Sequence, residues 1–231
     1  MNVAIILAAG QGKRMKAGMN KQFLLLGGKT VLEHTLCAFD CAKAVDGYIL
    51  VAHERELEYV QEMYQTDEHP KLIKVVVGGK ERQDSVWEGI KALPDDCEYV
   101  LIHDGARPFI NNEVIMRALE SAIKNGSGIA GVGVKDTIKQ CDENGVVIQT
   151  LSRNCLWSVQ TPQVFRKDFI AQAYEKAFAA DYYGTDDASL VEFCGEKVQM
   201  VEGDYDNIKI TTQEDLAIGE NILKRRAQQC E

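Results

Sequence analysis

Short runs of apolar and β-branched residues alternate with amphipathic segments of helical period along most of the chain. The first run, residues 3–9, has the length and composition of a strand that is buried on both faces. Residues 30–42 have helical period, and Thr30 is placed to cap that helix. Strands that alternate with helices form parallel sheets, so we predict an α/β fold: a Rossmann-like, doubly wound, mostly parallel sheet with helices on both faces.

The same two periods predict most of the remaining elements. Further strands are predicted at residues 47–53, 72–77, 99–103, 128–134, 198–201 and 208–210. Further helices are predicted at residues 54–64, 82–93, 111–124, 167–179 and 186–194, and from Thr211 or Thr212 to about Arg226. Thr211 and Glu214 fit a capping box at the start of the last helix, and Gly195 is expected to end the helix before it.

A predicted hairpin interrupts the alternation between residues 135 and 153. Asn144-Gly145 lies between two segments of strand pattern, and Asn-Gly in that position is typical of a tight β-turn. A hairpin alone is marginally stable in water, so we expect it to pack on another surface, for which a second subunit is the natural candidate. The sequence therefore predicts one domain over residues 1–231, with a protruding β-hairpin arm for dimerisation at about residues 135–153.

Charge and composition exclude several classes of function. The chain has 35 acidic and 26 basic residues, whereas a general nucleic-acid binder needs a basic surface. No segment approaches the ~18 consecutive apolar residues of a membrane helix, and the N-terminus lacks a basic leader. Seven cysteines without a CxxC pair are expected to be reduced thiols. We therefore expect a cytoplasmic protein that binds neither nucleic acid nor membrane.

Positive charge is concentrated near the N-terminus, although the whole chain is acidic. No Asp or Glu precedes Glu33. A local cationic zone in an acidic protein favours a small polyanionic ligand over a solvated basic turn. The cations of this stretch are Lys13, Arg14, Lys16, Lys21 and Lys29.

Some of these cations belong to a glycine-containing loop directly after the first predicted strand. In Gly10-Gln11-Gly12-Lys13-Arg14, small residues let backbone N–H groups approach phosphates, and open α/β sheets bind ligands at the carboxyl ends of strands. The loop does not fit the P-loop pattern, because Arg14 follows Lys13. It does not fit the dinucleotide fingerprint either, because Met15 stands at the third glycine position, so a dinucleotide oxidoreductase is disfavoured.

Together with further motifs, this loop resembles a known family. Residues 7–15, Leu-Ala-Ala-Gly-Gln-Gly-Lys-Arg-Met, with Lys21-Gln22, are similar to the nucleotide-binding loop of the sugar-phosphate nucleotidyltransferases. The further motifs resemble, in the same order along the chain, those of the 2-C-methyl-D-erythritol 4-phosphate cytidylyltransferases. They are Gly78-Gly79-Lys80-Glu81-Arg82-Gln83-Asp84-Ser85-Val86, His103-Asp104-Gly105-Ala106-Arg107-Pro108, Val134-Lys135-Asp136-Thr137, Arg153-Asn154-Cys155-Leu156-Trp157, Gln160-Thr161-Pro162-Gln163, Thr185-Asp186-Asp187-Ala188-Ser189 and Asp206-Asn207-Ile208-Lys209.

The resemblance implies a Mg²⁺-dependent, homodimeric enzyme of non-mevalonate isoprenoid biosynthesis. Such an enzyme transfers CMP from CTP to a sugar-alcohol phosphate, 2-C-methyl-D-erythritol 4-phosphate, and releases pyrophosphate. Because Thr137 and Arg153 lie at the ends of the predicted arm, the resemblance places them in the neighbouring subunit's site. The implied roles are catalysis for Arg14, Lys21 and Lys209; nucleotide binding for Ala8, Ala9, Gly10, Gly12, Gly79, Arg82 and Ser85; substrate binding for Thr137, Arg153, Thr161 and Thr185; and metal binding for Asp104 and Asp206.

This chemistry needs positive charge more than it needs a base. A phosphate monoester has a second pKa of about 6, so the nucleophile is mostly a dianion at neutral pH. Catalysis then depends on positioning and on cations that stabilise the departing pyrophosphate. Simpler interpretations of single residues exist: Asp206-Asn207 fits a turn, Thr185 fits a helix cap, and Arg107 fits an ion pair that fixes the loop after Asp104.

Two other functions remain open on the sequence. A ribitol 5-phosphate cytidylyltransferase would share the nucleotide half of the site and differ in the pocket for the polyol. A non-catalytic CTP-binding dimer would not need the three cations and two carboxylates that this chain carries in matching motifs.

Overall fold

The computed structural model of the chain describes residues 1–10, 21–64 and 67–228, without the side chain of Lys21. The strands are β1 (Asn2–Ala8), β2 (Leu25–Leu26), β3 (Lys29–Thr30), β4 (Gly47–Ala52), β5 (Leu72–Val77), β6 (Tyr99–Asp104), β7 (Ser127–Gly133), β8 (Lys139–Cys141), β9 (Val147–Thr150), β10 (Trp157–Arg166) and β11 (Met200–Glu202). The α-helices are α1 (Val31–Cys41), α2 (Leu57–Met63), α3 (Arg82–Lys91), α4 (Asn112–Asn125), α5 (Lys167–Ala179), α6 (Asp187–Phe193) and α7 (Gln213–Gln228). Short 3₁₀ turns lie at Lys21–Phe23, Glu54–Glu56 and Arg153–Cys155.

Seven strands form one sheet in the order β11-β7-β10-β6-β1-β4-β5. Strands β6, β1, β4 and β5 are parallel to one another, and β11 is parallel to β7. Strand β10 runs antiparallel to both of its neighbours, β6 and β7. The predicted mostly parallel α/β sheet is therefore confirmed.

Alternate residues of the central strands face two different cores. In β1, Ala4 and Ile6 pack in the core beneath α1, α2 and α4, whereas Val3 and Ile5 pack in the core beneath α3, α5 and α6. This period of two is what a strand buried on both faces requires. Helices therefore cover both faces of the sheet, as the sequence predicts.

Strand β10 is the one strand of the seven-stranded sheet that was not predicted from the sequence. Pro162 lies inside it, and a proline counts against a central strand because it has no N–H to donate to a neighbour. The pairing register with β7 shifts between Val159 and Gln163, so the proline sits at an irregularity of the ladder. The strand is otherwise continuous from Trp157 to Arg166 and joins the two halves of the sheet.

The chain after β11 differs from the prediction in two details. The strand predicted at residues 208–210 is wrong: Ile210 N donates to the Ala106 carbonyl at 2.8 Å, but the segment joins no sheet. The predicted capping box of Thr211 and Glu214 is also wrong, because it is shifted by one residue. Asp215 Oδ2 accepts from Thr212 N at 2.8 Å, and Thr212 Oγ1 accepts from Asp215 N at 3.2 Å.

Two predicted helix ends are confirmed. Thr30 Oγ1 accepts from Glu33 N at 3.0 Å and caps α1. Gly195 follows Cys194, the C-cap of α6, and has a φ of +81°, a left-handed conformation that glycine adopts without steric cost. Among the described residues, no helix is both long enough and apolar enough to cross a membrane.

The predicted hairpin is present as β8 and β9, which pair only with each other. Every residue of both strands is exposed. A hairpin that lay on the body of this chain would bury one face, so the hairpin projects away from it as an arm.

Candidate active site

A cleft of about 700 Å³ opens beside the carboxyl ends of β1, β5 and β6. Ligands of open α/β sheets bind at this edge. The cleft is lined by backbone and side chains from the chain directly after β1, from the loop and first turn after β5, and from the segment before α7. The residues predicted from the sequence that line it are Ala9, Gly10, Gly79, Arg82, Ser85, Asp104 and Lys209.

Asp104 ends β6, and three cationic side chains surround its carboxylate. Its Oδ2 lies 2.8 Å from Nζ of Lys209 and 3.4 Å from Nε of Arg107, and its Oδ1 lies 3.6 Å from Nε of Arg82. Burial alone would raise the pKa of this carboxyl, but the charges of Lys209, Arg82 and Arg107 outweigh burial and hold the pKa well below its usual range. The predicted ion pair between Arg107 and the aspartate loop is therefore present.

Arg82 begins α3 and contacts a second carboxylate behind the cleft wall. Its Nη1 and Nη2 donate to Oδ1 and Oδ2 of Asp187 at 3.1 and 2.7 Å. The hydroxyl of Tyr174 also donates to Asp187 Oδ1, at 2.6 Å. Burial alone would lower the pKa of Arg82, but Asp187 and Asp104 raise it above its usual range, so the guanidinium stays charged.

The backbone of Asp104 is fixed by a separate set of hydrogen bonds. Thr161 Oγ1 accepts from Asp104 N at 3.0 Å and also contacts Nδ1 of His103 at 3.0 Å. Nε2 of His103 lies 3.3 Å from the Arg107 carbonyl oxygen, which can only accept. Because burial lowers the pKa of His103 to about 3, the ring is neutral and donates from Nε2, so the Thr161 hydroxyl donates to Nδ1. His103 is thus a structural neighbour of the site.

Glycines keep two walls of the cleft close together. A Cβ at Gly78 would lie 2.7 Å from Ala9 Cβ and 2.8 Å from Ser85 Oγ, so no larger residue fits there without displacing a wall. A Cβ at Gly10 would meet nothing within 4 Å, which leaves room beside the backbone after β1. The Ser85 hydroxyl donates to the Glu81 carbonyl at 3.0 Å, so only its lone pairs remain for a ligand.

Other predicted site residues lie outside the cleft wall. Ala8 is fully buried in the core, Thr137, Arg153 and Thr185 are exposed, and Asp206 contacts Arg225 through both carboxylate oxygens. Gly12 and Arg14 lie outside the described residues, as does the side chain of Lys21.

Hydrogen bonds at Arg153 and next to Thr185 show how these two positions are used in the fold. Arg153 Nη1 donates to the Lys135 carbonyl at 3.0 Å, which ties together the two ends of the arm. Thr185 does not cap α6, because Asp186 Oδ1 accepts from Ser189 N at 3.0 Å.

Two polar side chains that shape the site, Gln22 in the cleft wall and Asp187 behind it, had no predicted role. Gln22 belongs to the Lys21-Gln22 motif and lines the cleft. Its Nε2 donates to the Ala8 carbonyl, and this hydrogen bond holds Gln22 against the end of β1. Asp187 follows the helix cap Asp186, where an acidic residue is explained by the helix dipole alone. Its pairing with Arg82 had no local signal in the sequence.

Asp104 and Asp206 fit a divalent cation to different degrees. Mg²⁺ binds carboxylate oxygens and commonly uses one or two of them with phosphates and water. Asp104 is ionised and lines the cleft, and because Lys209 contacts its Oδ2 at 2.8 Å, Oδ1 is the oxygen that fits this role. Asp206 would first have to leave Arg225. Over residues 1–10, 21–64 and 67–228, no group of three or more His, Cys, Asp or Glu side chains is placed to hold a metal alone.

A cleft at the carboxyl ends of a doubly wound sheet, with glycine-lined walls and with Arg82 and Lys209 beside Asp104, suits a nucleotide ligand. The class of protein here is the nucleotidyltransferases. The family model for 2-C-methyl-D-erythritol 4-phosphate cytidylyltransferase matches residues 2–225. The chain belongs to this family and is a cytidylyltransferase.

Named relatives are similar over nearly their whole length. The 2-C-methyl-D-erythritol 4-phosphate cytidylyltransferase of Alkaliphilus metalliredigens is 47% identical over 230 residues, which cover 98% of this chain and 95% of the relative. That of Geobacillus thermodenitrificans is 48% identical over 96% of this chain and 97% of the relative.

Solved structures share the fold. The 4-diphosphocytidyl-2C-methyl-D-erythritol synthase of Anaerococcus prevotii has a TM-score of 0.87 at 37% identity, over 97% of this chain and 98% of that one. The cytidylyltransferase of Thermus thermophilus has a TM-score of 0.78 at 28% identity, over 97% of this chain and all of that one (100%).

Proposed function

We propose that the cleft transfers CMP from CTP to 2-C-methyl-D-erythritol 4-phosphate, giving 4-diphosphocytidyl-2-C-methyl-D-erythritol and pyrophosphate. The observation that carries this proposal is the cluster of Lys209, Arg107 and Arg82 around Asp104 in the cleft of a chain of this family. Such a cluster suits a reaction between two polyanions, in which charge is the main obstacle.

The nucleotide half of the cleft is assigned to the ends of β1 and β5. Backbone at Ala9 and Gly10 has room for phosphates, and Gly79 with Ser85 forms the wall proposed to meet the cytosine. The Ser85 oxygen has only lone pairs to offer, which suits a donor such as the cytosine amino group. The proposed triphosphate contacts of Gly12, Arg14 and Lys21 fall outside what the structure describes.

The proposed mechanism needs no proton transfer. The attacking phosphate is already largely a dianion at neutral pH, since its second pKa is about 6. Lys209 is held 2.8 Å from Asp104 and offers its positive charge to both phosphates. Thr161 and Thr185 are proposed to position the polyol phosphate, although the hydroxyl proton of Thr161 is engaged by His103.

Mg²⁺ is part of the proposal. Asp104 would hold it together with phosphate oxygens, and Asp206 would join only if it released Arg225. When bound, the ion neutralises charge on the triphosphate. The protein's own contribution is to keep Asp104 ionised and fixed, through Lys209, Arg107 and the backbone bond to Thr161.

A homodimer formed through the arm is also proposed. Val146 and Ile148 near the tip of the arm are 63% and 62% exposed, and apolar side chains gathered on a projecting hairpin mark an interaction surface. In such a dimer, Thr137 and Arg153 at the base of the arm would complete the partner's site.

A cytoplasmic location is proposed too, and the free thiols of the described cysteines suit a reducing compartment.

The test is pyrophosphate release with CTP, Mg²⁺ and either 2-C-methyl-D-erythritol 4-phosphate or ribitol 5-phosphate. We expect release with the first substrate and a loss of about 100-fold or more in Lys209→Met, because one removed transition-state contact is worth that much. Lys91→Met, which removes an exposed lysine of α3, is the matched control and should keep full activity.

Release with ribitol 5-phosphate alone would show that the protein is a ribitol 5-phosphate cytidylyltransferase. CTP binding without release from either substrate would support the non-catalytic CTP-binding dimer instead.

A further inference from the structure

Arg82 is held between two carboxylates that come from distant parts of the chain. Its Nε faces Asp104 in the cleft at 3.6 Å, while Nη1 and Nη2 both bond to Asp187. A carboxylate that accepts from both terminal nitrogens fixes the plane of the guanidinium as well as its position. Asp187 therefore determines how Arg82 is presented to the cleft.

Asp187 itself is fully buried and does not line the cleft. Its two oxygens are occupied by Arg82 and by the Tyr174 hydroxyl. It can affect the reaction only through Arg82 or through the packing of α6. An experiment on this carboxylate can therefore separate those two routes.

The segment that carries Asp187 is tethered to its surroundings by two glutamine side chains. Gln163 of β10 donates to Asp186 Oδ2 at 2.8 Å and accepts from Ala188 N at 2.9 Å. Gln83 of α3 accepts from Gly184 N at 3.0 Å and donates to the Tyr182 carbonyl at 3.1 Å. Both amides use donor and acceptor, so the carboxylate is carried by a rigid support.

The position of Asp187 affects how the cations around Asp104 share its carboxylate. The three cations Lys209, Arg107 and Arg82 face Asp104, but Arg82 makes its shorter contacts with Asp187. Without Asp187, the partly buried guanidinium would be drawn to the Asp104 carboxylate and would compete there with Lys209. Lys209 would then lose the contact that fixes its ammonium in the cleft.

We propose that Asp187 is a positioning residue for CMP transfer, which holds Arg82 away from Asp104 so that Lys209 keeps the short contact. This inference rests on the proposed function of the cleft. The buried carboxylate thereby links the Thr185 segment, proposed for the polyol phosphate, to the nucleotide side of the site.

The test is a double-mutant cycle of Asp187→Asn and Arg82→Met, with kcat and KM measured for both substrates. We expect Asp187→Asn to lower kcat/KM by about 10- to 100-fold, as supporting residues of active sites do. The double variant should be no worse than Arg82→Met alone, because Asp187 acts through Arg82. Tyr174→Phe removes a hydrogen bond to the same carboxylate but leaves Arg82 paired; it should keep kcat/KM within about twofold, since its effect is confined to stability.

Two results would overturn the inference. Effects of Asp187→Asn and Arg82→Met that multiply would show independent action, and a loss in Tyr174→Phe equal to that in Asp187→Asn would show a packing effect. Failure of the proposed function looks different, because wild-type protein would then release no pyrophosphate. In that case, the shift in Tm on adding CTP is compared across the same variants. The role in CMP transfer then falls with the function, but the positioning of Arg82 by Asp187 for nucleotide binding stands if Asp187→Asn and Arg82→Met reduce the shift equally and non-additively, and it falls otherwise.

Discussion

Asp104 combines three roles in the site. Its carboxylate pairs with three cations, its backbone N–H is bound by Thr161, and it is the proposed Mg²⁺ ligand. Asp104→Asn keeps the shape of the side chain and removes its charge, so Lys209, Arg107 and Arg82 lose their shared counter-ion. We expect kcat/KM to fall by about 100-fold, or ~2.7 kcal/mol in transition-state stabilisation. The Mg²⁺ concentration for half-maximal activity should rise, and titration of activity with Mg²⁺ after EDTA treatment measures it. An unchanged Mg²⁺ requirement would remove Asp104 from the proposed metal site.

The buried His103 is expected to make the free energy of unfolding depend on pH. Burial lowers its pKa to about 3 from 6.5, so the unfolded chain binds the proton more readily between those two values. Stability from the neutral ring is then complete above about pH 6.5 and is lost as the pH falls toward 3, with a slope of up to about 1.4 kcal/mol per pH unit. Urea denaturation from pH 4 to pH 7 in EDTA should show a shallower slope for His103→Asn than for wild type. Equal slopes would contradict the neutral, buried ring.

The residues of the site were predictable to different degrees for a physical reason. Asp104 and Lys209 were predicted because they lie in short, contiguous motifs that resemble those of a known family. Asp187 was missed because its partner Arg82 is 105 residues away, and only the folded sheet and helices bring the two together. The hydrogen bond between the Thr161 hydroxyl and His103 was not predicted for the same reason, since the two residues are 58 positions apart.

At the scale of elements, the contact between α4 and β7 depends on a glycine. A Cβ at Gly128 would overlap the carbonyl oxygen of Ala118, which is helix backbone and cannot turn aside. We expect Gly128→Ala to lower the free energy of unfolding by about 3 kcal/mol, because α4 must move off the strand. Gly133→Ala at the end of the same strand is the control, since its Cβ would meet only Tyr205 Oη at 3.9 Å. Similar Tm values for both variants would show that α4 adapts to the added methyl group.

Elements with a clear period were predicted well, and those set by long-range pairing were not. Helix α5 was predicted at the bounds it has, residues 167–179, because its buried residues Ile170, Ala173, Tyr174 and Ala177 recur at helical spacing within one continuous segment. Strand β10 was missed because Pro162 argues against a central strand, and only the irregular register opposite β7 makes room for it. The one-residue shift at the start of α7 reflects competition among Thr211, Thr212 and Asp215, which all share hydrogen bonds there.

At the scale of the whole molecule, the exposed arm predicts self-association. Ile148→Lys places a charge on the arm, and we expect it to weaken the proposed dimer by about 10-fold or more, because a buried apolar anchor is worth at least 1–2 kcal/mol. Ile123→Lys on α4 is the matched control, since Ile123 is 58% exposed and Ile148 is 62% exposed. Sedimentation equilibrium gives the dimer constants. A wild-type monomer at micromolar concentration, or equal loss in both variants, would exclude the arm as the dimer contact.

The central claim is that the cleft forms a diphosphate bond between CMP and a sugar-alcohol phosphate. Phosphorus NMR of the wild-type protein with CTP, Mg²⁺ and 2-C-methyl-D-erythritol 4-phosphate follows every phosphate directly. We expect the substrate phosphate signal to disappear while two coupled diphosphate signals and free pyrophosphate grow in equal amounts. A spectrum that does not change, or one in which CTP yields free CMP while the sugar-alcohol phosphate signal persists, would contradict it.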